Sequence, residues 1–448
     1  MRTWSTSGWA GEGEGDEDGA GGGPPRAAVQ SGAAAWRNNR AGGRGGTLDA
    51  TAPGTMPVAV ALASILLLVV VLVEVFEVML LPRRVRRRRF VRLYFRWSWA
   101  AWRALAERMP RRRRVGTLGV FGPLSMIGLL VVWTWLLVAG FGALQWALAR
   151  GADDPPSLLN QLYFSGVTFF TLGYGDVTAA TRLGKVVAVL EAGIGFGFIA
   201  VVIGYLPVLY QLFSRREAHV IRLDARAGSP PTAGALVERH VGTQGLAALG
   251  ELLSEWEQWS AELLESQLSY PMLAYYRSQH DNESWLAALA AILDVSALLM
   301  VGVERADLQP AGGGAWGDER DADDGVPRFQ ARMTFAGARL ALVEMTRVLA
   351  DPLPGEVPAD RLPAASFPAL VERLAEAGLR LRDPAGAPGA LAHLRATYEP
   401  HLHALGARLA LPIPPWMRSS DAPDNWERDA PAARALYEAA EARERREG

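Results

Sequence analysis

Three runs of this chain are too long and too apolar to be anything but membrane spans or the centre of a very large core. They are "MPVAVALASILLLVVVLVEVFEVMLL" from Met56, a stretch within "VGTLGVFGPLSMIGLLVVWTWLLVAGFGALQWAL" from Val115, and "VVAVLEAGIGFGFIAVVIGYLPVLYQLF" from Val186. A bilayer core of about 30 Å is crossed by roughly 20 helical residues, and each run supplies that many. A soluble core could hide one such helix; three in the first half of a 448-residue chain make the chain an integral membrane protein.

The arginines then orient it. Between the first two runs, "RRVRRRRFVRLYFRWSWAAWRALAERMPRRRR" holds fourteen arginines against one acid, Glu107, whereas the connection between the second and third carries few charges. The positive-inside bias places the Arg-rich segment in the cytoplasm, the N-terminus and the region from Tyr163 to Arg182 outside, and everything after Phe213 in the cytoplasm. Arg89, Arg92, Arg96 and Arg103 share one arc of a helix, with Phe90, Phe95, Trp99 and Trp102 elsewhere on it. That pattern is expected of an amphipathic helix lying on the inner leaflet, its flanking Arg runs against anionic lipid; a solvated loop that only fixes topology is the alternative. A single helix before the Arg-rich segment, without regularly spaced arginines inside a span, excludes a voltage sensor.

Residues 1–55 are Gly/Ala-rich with the acidic knot "GEGEGDEDG" and are expected to form a disordered tail. Met56 immediately precedes the first span, so translation starting there is a second expectation. The chain has no cysteine, which excludes disulfides and thiolate metal sites.

The stretch "TLGYGD", Thr171–Asp176, sits between the second and third spans. Non-helical backbone at membrane depth is tolerated only where protein or a water-filled path satisfies its polar groups. Aiming successive carbonyls at one axis needs alternating handedness of φ, which Gly173 and Gly175 supply without a Cβ clash. Five extended residues reach about 15–18 Å, half the hydrocarbon thickness and enough for a row of oxygen cages. "PSLLNQLYFSGVTFF", residues 156–170, is expected to be a short helix whose C-terminal end points its negative dipole at that row.

"TFFTLGYGD", Thr168–Asp176, resembles the T-x-x-T-x-G-Y-G-D signature of potassium-channel selectivity filters, and the order of its surroundings is similar to the two-transmembrane pore domain of that family. The resemblance implies a pore domain over 115–217: outer helix 118–148, pore helix 156–170, filter 171–176 and inner helix 184–213. It also implies potassium coordinated by the carbonyls of Thr171, Leu172, Gly173 and Tyr174 and the Thr171 hydroxyl, with Gly175 completing the filter, and a homotetramer. Leu172 stands where the family commonly has Val or Ile, and Phe170 where many members have a second threonine. Thr168, Asp176 and Tyr163 are expected to support the filter. Tyr163 occupies a pore-helix position where many members have a tryptophan donating to the filter aspartate, and Val167 lacks the acid that some members use instead. Packing of Tyr163 against the outer helix with its hydroxyl in the wet interface is the alternative.

In "EAGIGFGF", Gly193 or Gly195 is the hinge candidate by the same resemblance, close helix packing being the bland alternative. Glu191 is an ionisable group inside a span. It is expected either to line the cavity as a cation-attracting ring or to be an interhelical pair or protonated acid. Glu74 and Glu77 are expected to pair with nearby arginines.

The remainder, 218–448, reads as a mainly helical cytoplasmic region without a strand followed by G-x-G-x-x-G. Its helical runs are Gly245–Leu268, Glu283–Val303, Ala331–Ala350 and Phe367–Arg382, the second a bundle-core helix despite Asp294. His280, and His401 with His403, have a caps-and-turns explanation that outweighs metal ligation. The expected architecture is thus an all-α membrane protein: disordered tail 1–55, span 56–82, Arg-rich linker 83–114, pore domain 115–217 and helical region 218–448. The expected function is passive potassium-selective conduction in the cell membrane, with lipid and identical subunits as partners, and with no enzymatic activity, cofactor or nucleic acid. A weakly selective cation channel and a non-conducting membrane sensor on the same scaffold are the alternatives.

Overall fold

The structure, a computed structural model, describes residues 55–80, 89–150, 154–240, 242–278, 282–307, 325–350 and 360–418. The N-terminal tail up to residue 54, the Arg run 83–88 and His280 lie outside the described residues. The protein is an all-α membrane protein, with one two-stranded ribbon among the described residues.

Among the described residues three helices are long and apolar enough to cross a bilayer: α1 (Thr55–Met79), α3 (Arg111–Ala149) and α5 (Arg182–Ala227). Between them lie α2 (Arg89–Glu107) and the short α4 (Leu158–Phe169). The last two spans exceed what a bilayer demands. At 1.5 Å per residue α5, with 46 residues, reaches roughly 69 Å, more than twice the hydrocarbon thickness. It therefore does not stop at 213, where its apolar run ends, but continues unbroken past Pro207 into the C-terminal region. The physical reason is that "SRREAHVIRLDARA" is a good helix-forming sequence whose polar groups find partners: the Arg216 guanidinium donates to Leu273 O (2.9 Å) and Tyr276 O (2.7 Å) and pairs with Glu217. Likewise α3 begins with the second Arg run, so those arginines start this spanning helix instead of ending a linker.

The linker helix α2 is amphipathic as expected, but its aromatic residues are not all turned toward lipid. Phe95 and Trp99 are buried, packed on Phe121 of α3 and on Tyr275 of the C-terminal region. Trp99 Nε1 donates to Arg408 O (2.8 Å) and Arg103 Nη1 to Ala407 O (3.0 Å), at the end of the last helix among the described residues. Leu93 and Trp97 remain exposed on another face. Burying an aromatic cluster in protein recovers the same apolar area as burying it in lipid and adds specific edge-to-face contacts. Among the described residues Glu74 accepts a hydrogen bond from the Val91 backbone N–H (3.1 Å), satisfying one of the orphan donors in the first turn of α2; the Arg run 83–88 beside it is outside them.

The C-terminal region continues with α6 (Ala233–Arg239), α7 (Gly242–Ser269) and α8 (Trp285–Met300), then β1 (Val303–Arg305) and α9 (Arg328–Leu349). The described residues then give α10 (Phe367–Glu376), β2 (Leu379–Leu381), α11 (Ala387–Ala396) and α12 (Glu399–Leu409). Helix α8 is buried along its whole length except at Met300, which is why it is apolar all round without being a span. Its one acid, Asp294, is fully buried and held by Arg361 through two contacts (2.5 and 3.1 Å) and by the Tyr398 hydroxyl (2.7 Å). Two runs expected to be helical to their ends turn into strands: β1 and β2 pair antiparallel with Val303 opposite Leu381. Glycines with positive φ, Gly302 and Gly378, break the preceding helices just before each strand.

Candidate functional site

Helix α4 is capped by Ser157, whose hydroxyl accepts from the Asn160 N–H (3.2 Å). The helix runs to Phe169 and hands the chain to Thr171–Asp176 through two backbone bonds, Thr171 N–H to Thr168 O (3.0 Å) and Leu172 N–H to Val167 O (2.8 Å). These fix the first residues of the loop to the last turn of α4, and Thr168 takes part through its backbone carbonyl.

Along the loop, Thr171, Gly173 and Gly175 have φ of +56°, +65° and +76°. The glycines are where sequence reasoning puts left-handed backbone. Thr171 is not: a β-branched residue there costs roughly 1–2 kcal/mol and persists only where its surroundings impose it. All six residues are exposed in the isolated chain, with Leu172 at 54% and Tyr174 at 66%. Beside them, the Tyr163 hydroxyl donates to Asp176 Oδ2 at 3.0 Å, which brings the α4 phenol and the loop's aspartate together.

Helix α5 presents two different sides. Val186, Val189, Leu190, Phe196 and Ile203 are exposed at helical spacing, and Gly193 and Gly197 on that side have no atom within 4 Å of an added Cβ. Gly184, Glu191, Gly195, Phe198 and Tyr205 form the opposite, buried side. Gly195 is there because Phe169 is: a Cβ on it would stand 2.1 Å from Phe169 O. Close packing thus explains Gly195 and no bend is needed at it; the helix passes through without interruption. Gly193 remains free of that constraint.

Glu191 does not line a cavity. It is 0% exposed, on the side of α5 that faces α3 and α4, with Ser165 Oγ bonded to its Oε1 and no partner on Oε2. Sequence periodicity could not show this, since it gives a residue's side of the helix but not which neighbour occupies that side. Two further residues escaped the sequence reading. Ser165 also donates to Val138 O of α3 (2.8 Å), and Gln145 of α3 donates to Gly184 O of α5 (2.9 Å). Their signal was present: both are polar side chains inside otherwise apolar stretches.

Among the described residues no group of three or more His, Asp or Glu is arranged to hold a metal. His401 and His403 are on α12, and burial lowers the pKa of both.

Residues 129–211, less than a fifth of the chain, match the family model Ion_trans_2, described as "Ion channel". An uncharacterized membrane protein of Bacillus subtilis (strain 168), YdjJ, is 23% identical over 217 residues, covering 46% of this chain and 60% of that protein. Potassium channel subfamily U member 1 of Mus musculus is 30% identical over 111 residues, 23% of this chain and 10% of that protein. Its Rattus norvegicus counterpart is 30% identical over 102 residues, covering 21% and 9%. The matched lengths are below two thirds of each relative. No solved structure matches. The matched segment runs from the middle of α3 through α4 and the glycine loop to α5, so the fold is that of an all-α membrane protein with an ion-channel segment.

Proposed function

We propose that the protein is a potassium-selective channel that conducts passively through a pore formed by four identical chains. The observation that carries this reading is the backbone of Thr171–Gly175. Left-handed φ at every second residue, in a loop tied to a helix end inside an ion-channel segment, is the arrangement that lines up successive carbonyls as a cation path. Thr171, Leu172, Gly173 and Tyr174 would present those carbonyls, with Gly175 turning the chain outward and Asp176, Tyr163 and Thr168 bracing it. The C-terminal end of α4, just before the loop, adds its negative dipole to a cation's surroundings.

One chain leaves its carbonyls on an open side, and a cage needs oxygens all round. The exposed Leu172 and Tyr174, together with the exposed stripe of α5, support burial between copies. The arginines of α2 and the exposed Trp97 and Leu93 suit contact with lipid of net negative charge, which supports a cytoplasmic C-terminal region and a glycine loop toward the outside. The long α5 and the grip of Arg216 on Leu273 and Tyr276 give that region a direct hold on the inner helix.

The test is rubidium uptake into potassium-loaded liposomes by purified protein and by Gly175→Ala, whose φ of +76° an alanine adopts only under strain. The reading expects a four-chain mass for both proteins and uptake only for the first. A monomeric mass, or equal uptake by both, contradicts it.

A further inference from the structure

Ser165 Oγ stands within hydrogen-bonding reach of two oxygens, Val138 O of α3 and Glu191 Oε1 of α5. A hydroxyl carries one proton. A backbone carbonyl can only accept, and so can an ionised carboxylate. Were Glu191 charged, three oxygens would meet around a single hydrogen, and the charge would be buried with no cation: no ion pair to Glu191 exists among the described residues, and its Oε2 is buried without a partner. A protonated carboxyl removes the conflict. Its O–H donates to Ser165 Oγ, the Ser165 O–H donates to Val138 O, and Oε2 is left as a neutral carbonyl oxygen, far cheaper to bury than a charged one.

From this we infer that Glu191 is a neutral hydrogen-bond donor that positions the pore helix: a directed chain from α5 through Ser165 of α4 to α3 holds the three helices around the glycine loop in register. The chain crosses α4 one turn before Phe169, and Gly195 seats against Phe169 O one turn further along α5. These two contacts fix the height and the approach of α4 against α5, and the two backbone bonds at its end pass that placement to Thr171 and Leu172. Because Glu191 is fully enclosed within one chain, neighbouring copies have no access to it and the chain of bonds belongs to each subunit. The role as a filter-positioning residue rests on the channel reading; the protonation and the inter-helix chain do not.

The experiment has two independent arms on purified full-length protein in liposomes. In infrared spectra at neutral pH, the C=O stretch of a protonated carboxyl is expected in the wild type and lost in Glu191→Gln. In Ser165→Ala, which keeps the acid but removes its acceptor, the same band should shift to higher frequency. Spectra of wild type and Glu191→Gln that coincide in this region, with the difference falling in the carboxylate bands instead, overturn the proposal. In the second arm, Glu191→Gln keeps an N–H to donate and should retain the assembly's thermal midpoint and the persistence of rubidium flux. Glu191→Leu, similar in size but without a donor, should lower the midpoint and shorten persistence roughly tenfold, the scale of one buried hydrogen bond left unmade. Rescue by Gln but not Leu separates a directed bond from space filling, and equal behaviour of the two variants overturns the positioning role. If no variant or wild type carries flux, the infrared band and the midpoints still decide the bond chain while the channel reading alone fails.

Discussion

Replacing Gly195 by alanine is the sharpest mechanical perturbation this architecture offers. The new methyl carbon would lie 2.1 Å from Phe169 O, 2.9 Å from its carbonyl carbon and 3.1 Å from its Cα. All three are backbone atoms, so no side-chain rotation relieves the clash. Restoring ordinary contact at 3.4 Å requires the end of α4 and the middle of α5 to separate by about 1.3 Å (3.4 − 2.1). Overpacking of this kind costs about 1–3 kcal/mol, offset by at most ~1 kcal/mol from alanine's better helix propensity. The net loss expected is about 1–2 kcal/mol per chain, a factor of roughly 5–30 in the local equilibrium. Because Thr171 and Leu172 are bonded to the last turn of α4, the displacement reaches the loop directly. Gly193→Ala is the comparison: no atom of the same chain lies within 4 Å of its added carbon, so within one subunit only the propensity gain acts, and any loss of assembly stability in this variant arises from neighbouring copies and not from the α4–α5 contact. Thermal melting of the assembly in detergent, followed by size-exclusion chromatography, reads the stability, and rubidium flux reads the loop. The packing argument fails if Gly195→Ala melts and conducts like the parent. It fails equally if Gly193→Ala and Gly195→Ala reduce flux alike without altering the melt, since a hinge, and not a contact, would then be at work.

Three further outcomes are expected. Tyr163→Phe removes the donor to Asp176 Oδ2 and should shorten open durations in single-channel records without altering ion preference, whereas unchanged durations alongside shortened ones in Asp176→Asn would exclude the phenol as partner. Asp294→Ala leaves Arg361 buried with only Glu399 as an acidic partner and should destabilise the C-terminal region by about 3–5 kcal/mol, read by tryptophan fluorescence on heating; Asp294→Leu with Arg361→Leu should recover much of that loss, and a single variant as stable as the parent refutes it. His240 is buried, which lowers its pKa although its Nδ1–H donates to Leu236 O (2.7 Å), so the folded chain holds it neutral. Its contribution is present above the unfolded value of about 6.5 and is lost as pH falls through the lower folded value, so the midpoint should drop on acidification and less steeply in His240→Gln; identical pH slopes contradict this.

The spans were legible because crossing a bilayer asks only for length and apolarity, which α1, α3 and α5 display in their composition. The loop was legible because few residues other than glycine adopt the φ found at Gly173 and Gly175. What periodicity cannot supply is the identity of the neighbour. Glu191 has the same helical phase whether that side meets a cavity or another helix, and only the placement of Ser165 and Val138 decides. The same holds for Phe95 and Trp99, apolar residues that suit lipid or Tyr275 equally well. Strands of three residues, such as β1 and β2, are too short to show alternation and are created by a partner distant in sequence. The continuation of α5 beyond Phe213 was hidden by hydropathy, which marks where lipid ends and not where the helix does.

Selectivity in a loop built from Thr171–Gly175 would show in the reversal potential of purified protein in a planar bilayer. With potassium on one side and sodium on the other at equal concentration, a strongly displaced reversal potential of the sign set by potassium is expected. A reversal at zero would show that both ions pass alike, and the filter reading would be wrong.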